Sequence, residues 1–360
     1  MAGWVTVADP AAPKKGRGAL SNPDNRFSVF RRTDFDDEWP GDGEVPSHLR
    51  TTLHQDRARS VITRNDSPDI PFDRSINPYR GCEHGCVYCF ARPSHAFLGH
   101  SPGMDFETEI YQKPEAARLL EAELRRRGYE PQPLALGVNT DAWQPVEQHA
   151  RITRSLLEVL WQYRHPVSLI TKSARIVRDL DLLTSMAGAG LVSVAFSITT
   201  LDPALSRRME PRAASPAARL RALRQLHQAG IPVGVSVAPI IPGLTDPEIE
   251  GILTAAREHG AAWSRYILLR LPGELGPLFE EWLVAHYPDR AQRVMGLIRE
   301  SHGGQVYDSR FGVRMRGSGP VAELIEGRIR LSSRRLGLEA QPPRLNTSSF
   351  SPPPQPGDQL

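Results

Sequence analysis

The chain has 360 residues, 40% of them hydrophobic, and a formal net charge of +3 with a pI near 8.8. This composition can build one or a few domains with a large core, including a single α/β barrel. No apolar run reaches the roughly 18 residues of a membrane-spanning helix, so we expect no membrane span. The charge is too small to indicate a nucleic-acid partner by itself.

The two ends of the chain differ from its middle. Residues 1–60 are rich in Pro, Gly, Asp and Arg, which predicts an irregular or disordered extension with a basic piece at "KKGRGALSNP". Residues 339–360 are proline-rich and predict a disordered tail. Between them we expect a partial-barrel core over 61–275 and a C-terminal cap of helix and strand or loop over 276–338. The N-terminus lacks the layout of a secretory signal.

Short β-branched or apolar runs in the middle of the chain predict strands. In chain order they are "LALGVN" at 134–139, "VSLIT" at 167–171, "LVSVAFSI" at 191–198, "VGVSVAPI" at 233–240 and "RYILLRL" at 265–271. A less regular strand is expected just before residue 82.

Helical patterns separate these runs, for example "TRSLLEVLWQYR". In "SPAARLRALRQLHQAG" we predict Ser215 as the N-cap, Pro216 as the first helical residue and Gly230 as the stop. In "TDPEIEGILTAAREHG", Thr245 and Glu248 predict a capping box.

About six strand-then-helix units indicate an α/β fold with a parallel sheet buried on both faces. We favour a partial (β/α)6 TIM-type barrel over a doubly wound sheet because polar residues follow the strands, where a barrel would gather them at one mouth. These residues are Asn139, Thr140, Asp141, Thr171, Lys172, Ser173, Ser197, Thr199, Thr200 and Arg270.

The only thiols of the chain are Cys82, Cys86 and Cys89, in a C-x3-C-x2-C pattern. Three closely spaced cysteines cannot form a paired disulfide framework, so a reducing cytoplasm is expected. They are compatible with a structural zinc site completed by His84 or His95, with one catalytic thiol, or with an iron–sulfur cluster. A cubane cluster normally takes four cysteines, so three would leave one iron without a protein ligand.

With Tyr88 before the last cysteine, the motif resembles the cluster loop of the radical S-adenosylmethionine (SAM) superfamily. The chain looks most like the spore photoproduct lyase-like branch. It is similar to a bacterial subgroup of uncharacterised radical SAM proteins that share "DIPFDRSINPYRGCEHGCVYCFARP" and "TDAWQPVE". The resemblance covers roughly residues 60–335 and the early "KGRGALSNP".

The resemblance implies that Cys82, Cys86 and Cys89 ligate a [4Fe-4S] cluster whose fourth iron binds S-adenosyl-L-methionine. Reductive cleavage of SAM would then give a 5′-deoxyadenosyl radical that abstracts hydrogen from a substrate. A one-electron reductant of flavodoxin or ferredoxin type would be a partner. The substrate is not specified, and nucleic acid is one candidate.

The resemblance also implies cofactor contacts. Asn139, Thr140 and Asp141 would hold the methionine amino group of SAM. Glu147 would bind ribose or orient the helix that follows, and Tyr88 would pack near the adenine or anchor the loop.

Two further residues would meet the SAM carboxylate, namely Lys172 and Ser197. Lys172 is one of only four lysines among 44 basic residues. The plainer interpretations are a surface lysine and a serine that ends a strand.

The chain departs from true spore photoproduct lyases in two ways. It has no cysteine outside the cluster loop, and Phe90 stands where those enzymes carry a tyrosine. Thymine-dimer repair is therefore not expected, and no catalytic residue is assigned. The alternative function is a non-catalytic module that binds zinc or a cluster.

A second arginine-rich region lies near the C-terminus. Residues 310–335 contain seven arginines with Phe311 among them, which is typical of a phosphate-backbone contact or of a solvated face. "DSRFGVRMRGSG" in this region is expected to cap the barrel mouth.

Overall fold

A computed structural model describes residues 14–28 and 49–354. Predictions for residues 1–13, 29–48 and 355–360 lie outside the described residues. The strands are β1 Thr52–Gln55, β2 Ile62–Arg64, β3 Arg74–Ile76, β4 Tyr79–Arg80, β5 Glu109–Gln112, β6 Leu134–Leu136, β7 Val167–Thr171, β8 Val192–Ser197, β9 Val233–Ile240 and β10 Trp263–Leu268.

Helices follow most strands of the barrel part. They are α1 Asp105–Thr108, α2 Ala116–Leu124, α3 Glu147–Ala150, α4 Ile152–Gln162, α5 Leu180–Gly188, α6 Pro203–Met209, α7 Pro216–Gln228, α8 Ile249–Glu258, α9 Leu275–His286, α10 Pro288–Glu300 and α11 Pro320–Leu336. Three 3₁₀ helices span Arg92–Leu98, Ala174–Asp179 and Asp246–Glu248.

The main sheet has the strand order β10-β9-β8-β7-β6-β3-β2. Its strands from β3 to β10 pair in parallel, and β2 pairs antiparallel with β3. The six parallel strands follow chain order without the reversal that defines a doubly wound sheet. The predicted α/β fold is therefore confirmed, with the strand order of a partial (β/α)6 barrel. A small sheet, β1-β5-β4, lies outside it.

The central strands of the sheet are mostly apolar and largely buried. Every residue of β8 is buried, as is nearly all of β9. The helix predicted at 215–230 is present as α7, with the Ser215 hydroxyl accepting a hydrogen bond from the Ala218 amide at 3.3 Å. Gly230 ends it at a φ of 78°, which few residues other than glycine adopt at low cost.

The capping box predicted before α8 is wrong. The hydroxyl of Thr245 accepts from the Ile241 amide at 2.9 Å. Glu248 turns to the loop after β8, where it accepts from the hydroxyl of Thr200 at 2.5 Å and the amide of Leu201 at 2.7 Å. These tertiary partners outcompete the local cap, and α8 begins after a 3₁₀ turn.

The described part of the predicted tail lies against the folded core. The Asn346 amide donates to the Gly190 carbonyl at 2.8 Å, and the Phe350 ring packs 5.5 Å from the rings of Tyr129 and His165. Backbone hydrogen bonds and one aromatic residue thus hold a segment whose proline content predicts disorder. The domain boundaries stay predictions. No helix among the described residues is long and apolar enough to cross a membrane.

Candidate functional site

A cavity of about 1290 Å³ lies within the partial barrel. Its wall runs from Thr63 in β2 to Tyr266 in β10, the two edges of the main sheet, and includes residues at the ends of the strands between them. All three cysteines and five of the predicted cofactor residues line it. Those five are Tyr88, Asn139, Asp141, Lys172 and Ser197.

The cysteines lie on a tight loop between β4 and the 3₁₀ helix Arg92–Leu98. The Cys82 amide donates to the Phe106 carbonyl at 2.9 Å, which fixes the start of the loop. Gly85 has a φ of +68°, and a Cβ there would lie 2.7 Å from Oε2 of Glu107. The loop therefore needs glycine at this position for its backbone conformation and for space.

Glu107 is the buried anchor of this loop. Its carboxylate accepts from the amides of Gly18 and Ala19 at 2.9 and 2.8 Å and from Nη2 of Arg92 at 2.5 Å. Nε of Arg92 donates in turn to the Cys86 carbonyl at 2.9 Å. The early "KGRGALSNP" segment, which the sequence showed as a basic piece that shares in the family resemblance, thus packs directly on the cysteine loop.

Burial disfavours the charged form of two of the thiols. Burial and the nearby Asp141 carboxylate raise the pKa of Cys82 well above its usual value. Burial and Glu210 raise the pKa of Cys86 to about 12. A bound cationic metal centre reverses this preference, because a coordinating thiol is deprotonated outright.

Each histidine proposed to complete a zinc site has one ring nitrogen close to an oxygen acceptor. Nε2 of His95 pairs with the Glu109 carbonyl at 2.9 Å, and its ring packs edge-on against Phe106. Nδ1 of His84 lies 3.5 Å from Oδ2 of Asp141. Over residues 14–28 and 49–354, no three Cys, His, Asp or Glu side chains converge as ligands of a single ion. Thiolates of a cubane cluster bind different irons and need not converge on one point.

Asp141 ties the ends of β6 and β7 together. It accepts from the Thr171 hydroxyl at 2.8 Å, the Lys172 amide at 2.7 Å and the Trp143 amide at 2.9 Å. Thr140, in contrast, turns away from the cavity, and its hydroxyl donates to the Tyr79 carbonyl at 2.8 Å.

Tyr88 and Lys172 lie close to each other and to the buried ion pair of Glu210 and Arg219. Nζ of Lys172 lies 5.8 Å from the Tyr88 ring centre, and the Tyr88 hydroxyl donates to Glu210. Glu210 also pairs with Arg219 of α7. Burial acts to raise the pKa of Glu210, but the charges of Arg219 and Lys172 outweigh it and lower that pKa to about 2.

The sequence analysis did not single out Glu210 or Arg219. The available signal was an arginine on the apolar face of a predicted helix, beside Leu220 and Leu223, which are both buried. A fully buried arginine implies a buried acceptor, although the sequence does not say which one.

Glu147 does not line the cavity. It is fully buried and accepts from the Tyr79 hydroxyl, from Nη2 of Arg178 at 2.9 Å and from the Thr153 amide at 3.2 Å. Because Thr153 lies in the first turn of α4, these contacts favour the second predicted role, which is to orient the helix that follows.

Most arginines of the 310–335 region are neutralised. Arg310 pairs with Asp308, Arg314 with Asp69, Arg316 with Glu326 and Arg328 with Glu250.

Part of this region nevertheless borders the cavity. Gly312, Met315 and Arg316 line it, as do the exposed Arg330 and Arg334. The Met315 carbonyl accepts from the Leu268 amide of β10 at 2.8 Å, which places the segment beside the edge of the sheet.

Residues 76–256, half of the chain, match the model of the Radical SAM superfamily. The chain belongs to the radical SAM superfamily. Radical SAM enzymes use a [4Fe-4S] cluster and SAM and need a one-electron reductant, so the predicted enzyme class and cofactors are confirmed.

Relatives of this radical SAM protein occur in bacteria and archaea. An uncharacterized protein of Mycobacterium tuberculosis is 35% identical over 258 residues, which are 71% of this chain and 76% of the relative. An uncharacterized protein of Methanocaldococcus jannaschii is 27% identical over 173 residues, 48% of this chain and 62% of the relative.

Solved structures share the fold. Spore photoproduct lyase complexed with dinucleoside spore photoproduct has a TM-score of 0.58 at 18% identity, over 84% of this chain and 85% of that one. A mutant of the same enzyme with bound AdoMet and dinucleoside spore photoproduct has a TM-score of 0.57 at 17% identity, over 80% of each chain. At these identities the similarity supports the fold alone.

Proposed function

We propose that Cys82, Cys86 and Cys89 hold the [4Fe-4S] cluster of this radical SAM enzyme and that the adjoining cavity binds SAM and the substrate together. When bound, the cluster and SAM supply a 5′-deoxyadenosyl radical that abstracts a hydrogen atom from the substrate. The observation that carries this proposal is that the three thiols and five predicted cofactor residues line one cavity. Its volume of about 1290 Å³ exceeds the roughly 300–1,000 Å³ of a typical single-ligand pocket.

The proposed roles of the surrounding side chains follow from their positions. The Lys172 ammonium faces the SAM carboxylate as a compact cation, with the Ser197 hydroxyl as a neutral donor. Asn139 and Asp141 receive the methionine amino group. Tyr88, held by Glu210, supports the cysteine loop beside the adenine. Thr140 and Glu147 serve as internal supports and do not contact the cofactor.

The reaction differs from thymine-dimer repair in our proposal. Phe90 lines the cavity beside Cys89, and the chain has no fourth cysteine to return a hydrogen atom. Nucleic acid is kept as one candidate substrate because Arg330 and Arg334 border the cavity. The electron donor is proposed to be of flavodoxin or ferredoxin type, and the compartment to be the cytoplasm.

The decisive experiment is anaerobic. The purified protein is reconstituted with iron and sulfide, reduced with dithionite, given SAM and assayed for 5′-deoxyadenosine. We expect production by the wild type and its loss, together with bound iron, in Cys86→Ala. Ser94→Ala, an exposed position beside the loop, is the control and should retain both. Zinc in place of iron, without SAM cleavage, would support the non-catalytic alternative.

A further inference from the structure

The cofactor assignment uses none of the five arginines that line the cavity, which are Arg265, Arg270, Arg316, Arg330 and Arg334. Among these, Arg270 lies beside the cysteine loop. Arg270 follows β10 by two residues and lines the cavity together with Cys89 and Phe90. Its guanidinium carbon lies 4.2 Å from the Phe90 ring centre, so the cation stacks on the aromatic face. Stacking covers one face of the guanidinium and leaves its in-plane N–H donors for a ligand.

Two fully buried guanidiniums, those of Arg92 and Arg219, are well supplied with acceptors. Arg92 donates to the carbonyls of Cys86 and Gly103 and to Glu107. Arg219 donates to the carbonyls of Ala214 and Ser197 and pairs with Glu210. These contacts follow the rule that a buried charge is paired or hydrogen-bonded.

Arg270 is half-buried at the cavity wall and lacks such partners. Among the residues that the structure describes, its side chain makes no hydrogen bond and no ion pair, and its cation–π contact with Phe90 is what holds it. A nearby carboxylate, Asp69, is already bound by Nε and Nη2 of Arg314 at 2.8 and 2.6 Å and by the Gly312 amide. Burial lowers the pKa of Arg270, yet an arginine stays protonated in proteins. A half-buried permanent cation therefore faces the cavity without an anion.

SAM does not account for this cation. SAM carries one carboxylate, which the proposed function pairs with Lys172 and Ser197 at the ends of β7 and β8. Arg270 follows β10, the edge strand, on the other side of β9. Arg270 therefore offers a cation beside Cys89 and Phe90 that is separate from Lys172, and a stacked guanidinium can bind phosphate and carboxylate oxygens in pairs.

We propose that Arg270, stacked on Phe90, binds an oxyanion of the substrate, a phosphate or a carboxylate, and so holds the substrate beside the cysteine loop. The inference rests on the proposed function, since it names the chemical class of substrate for that site. It makes Arg270 and Phe90 substrate-specificity residues, with Lys172 reserved for the cofactor.

The test uses simple anions on the full-length protein, purified without SAM. Binding of inorganic phosphate and, separately, of acetate is measured by ligand-observed NMR at constant ionic strength set with KCl. We expect at least one of the two anions to bind the wild type, and Arg270→Gln to weaken that binding about tenfold or more. Phe90→Leu should weaken it less, because the charge remains. Arg310→Gln, which removes an exposed arginine outside the cavity lining, should leave it unchanged.

The two arms distinguish the source of the anion, since preferential phosphate binding indicates a phosphorylated substrate and preferential acetate binding a carboxylated one. SAM affinity and iron content are measured on the same variants and should not change in Arg270→Gln. The proposal is overturned if neither anion binds the wild type or if Arg270→Gln binds them equally well. It is also overturned if that variant loses SAM affinity instead, because Arg270 would then belong to the cofactor site. Failure of the proposed function gives a different result, the absence of 5′-deoxyadenosine from the wild type.

Discussion

At the scale of single residues, Glu210 is the buried charge next to the cavity residues Tyr88 and Lys172. It is fully buried, pairs with Arg219 and accepts from the hydroxyls of Tyr88 and Thr199. Removing one partner of a buried ion pair leaves an uncompensated charge, which costs far more than the pair itself contributes. Tyr88 and Lys172 lie next to this pair, so its loss should disturb the proposed SAM site.

We expect Glu210→Gln to lower the free energy of unfolding by about 3 kcal/mol, because Arg219 keeps its charge without a counter-ion. The folded-state pKa of Glu210, about 2, lies below the ordinary glutamate value of 4.5. Its contribution is therefore present above pH 4.5 and is lost as the pH falls through about 2. Urea unfolding of both proteins between pH 7 and pH 2 measures this. A stability difference that stays constant over that range would contradict the assignment.

Lys172 supplies a second prediction at this scale. Lys172→Ala should weaken SAM binding about tenfold or more while iron content stays at the wild-type level, since the side chain faces the cavity without contacting the thiols. Equilibrium dialysis with labelled SAM measures the affinity. Lys14→Ala, far from the cavity lining, is the control. Unchanged SAM affinity would remove Lys172 from the cofactor site.

At the scale of elements, the cysteine loop and residues 15–23 act as one unit. The loop supplies the thiols, and the early segment supplies two amides that bind Glu107. Strands and helices such as β7 and α7 could be predicted because their signals lie within a dozen residues. We call the binding of Glu107 by the amides of Gly18 and Ala19 the clasp. The clasp could not be predicted, since it joins backbone donors to a carboxylate 88 and 89 positions away. The pair of Glu210 and Arg219 escaped prediction although the two residues are nine positions apart, because a sequence does not say which acceptor a buried arginine meets.

Gly18→Ala tests this clasp. A Cβ at Gly18 would lie 1.8 Å from the Gly85 carbonyl oxygen. The Cβ position is fixed by the backbone of residue 18 and the oxygen belongs to the backbone of residue 85, so no side-chain rotation can relieve the clash. We expect loss of most bound iron after reconstitution, with a lower melting temperature. Gly188→Ala is the matched control because a Cβ there meets nothing within 4 Å. Wild-type iron content in Gly18→Ala would show that the clasp is dispensable.

At the scale of the whole molecule, one ion pair joins the two sides of the open sheet. Asp69 belongs to the loop between β2 and β3, and Arg314 precedes Met315, which is hydrogen-bonded to β10. Their guanidinium and carboxylate groups make two hydrogen bonds of 2.8 and 2.6 Å. We call this ion pair the strap, because it connects segments beside opposite edges of the sheet.

Breaking the strap should open the cavity. The chain's three thiols all line it, so alkylation of the cluster-free protein reports access. We expect Arg314→Gln to be alkylated by iodoacetamide severalfold faster than the wild type at pH 8, with modification located by mass spectrometry. Arg310→Gln, whose ion pair with Asp308 is exposed, should behave as the wild type. Equal rates in all three proteins would mean that the strap does not control access.

The strap also bears on the length of molecule that this enzyme can accept. A ring of protein around a cavity admits a small molecule or the free end of a long one, whereas a trough admits any point along a polymer. With Asp69 and Arg314 paired, the gap between β2 and β10 is bridged and the cavity resembles the ring. With the pair broken, the same walls form the trough. A single carboxylate–guanidinium contact would thus decide whether an internal position of a long chain can reach the cysteine loop without being threaded from its end.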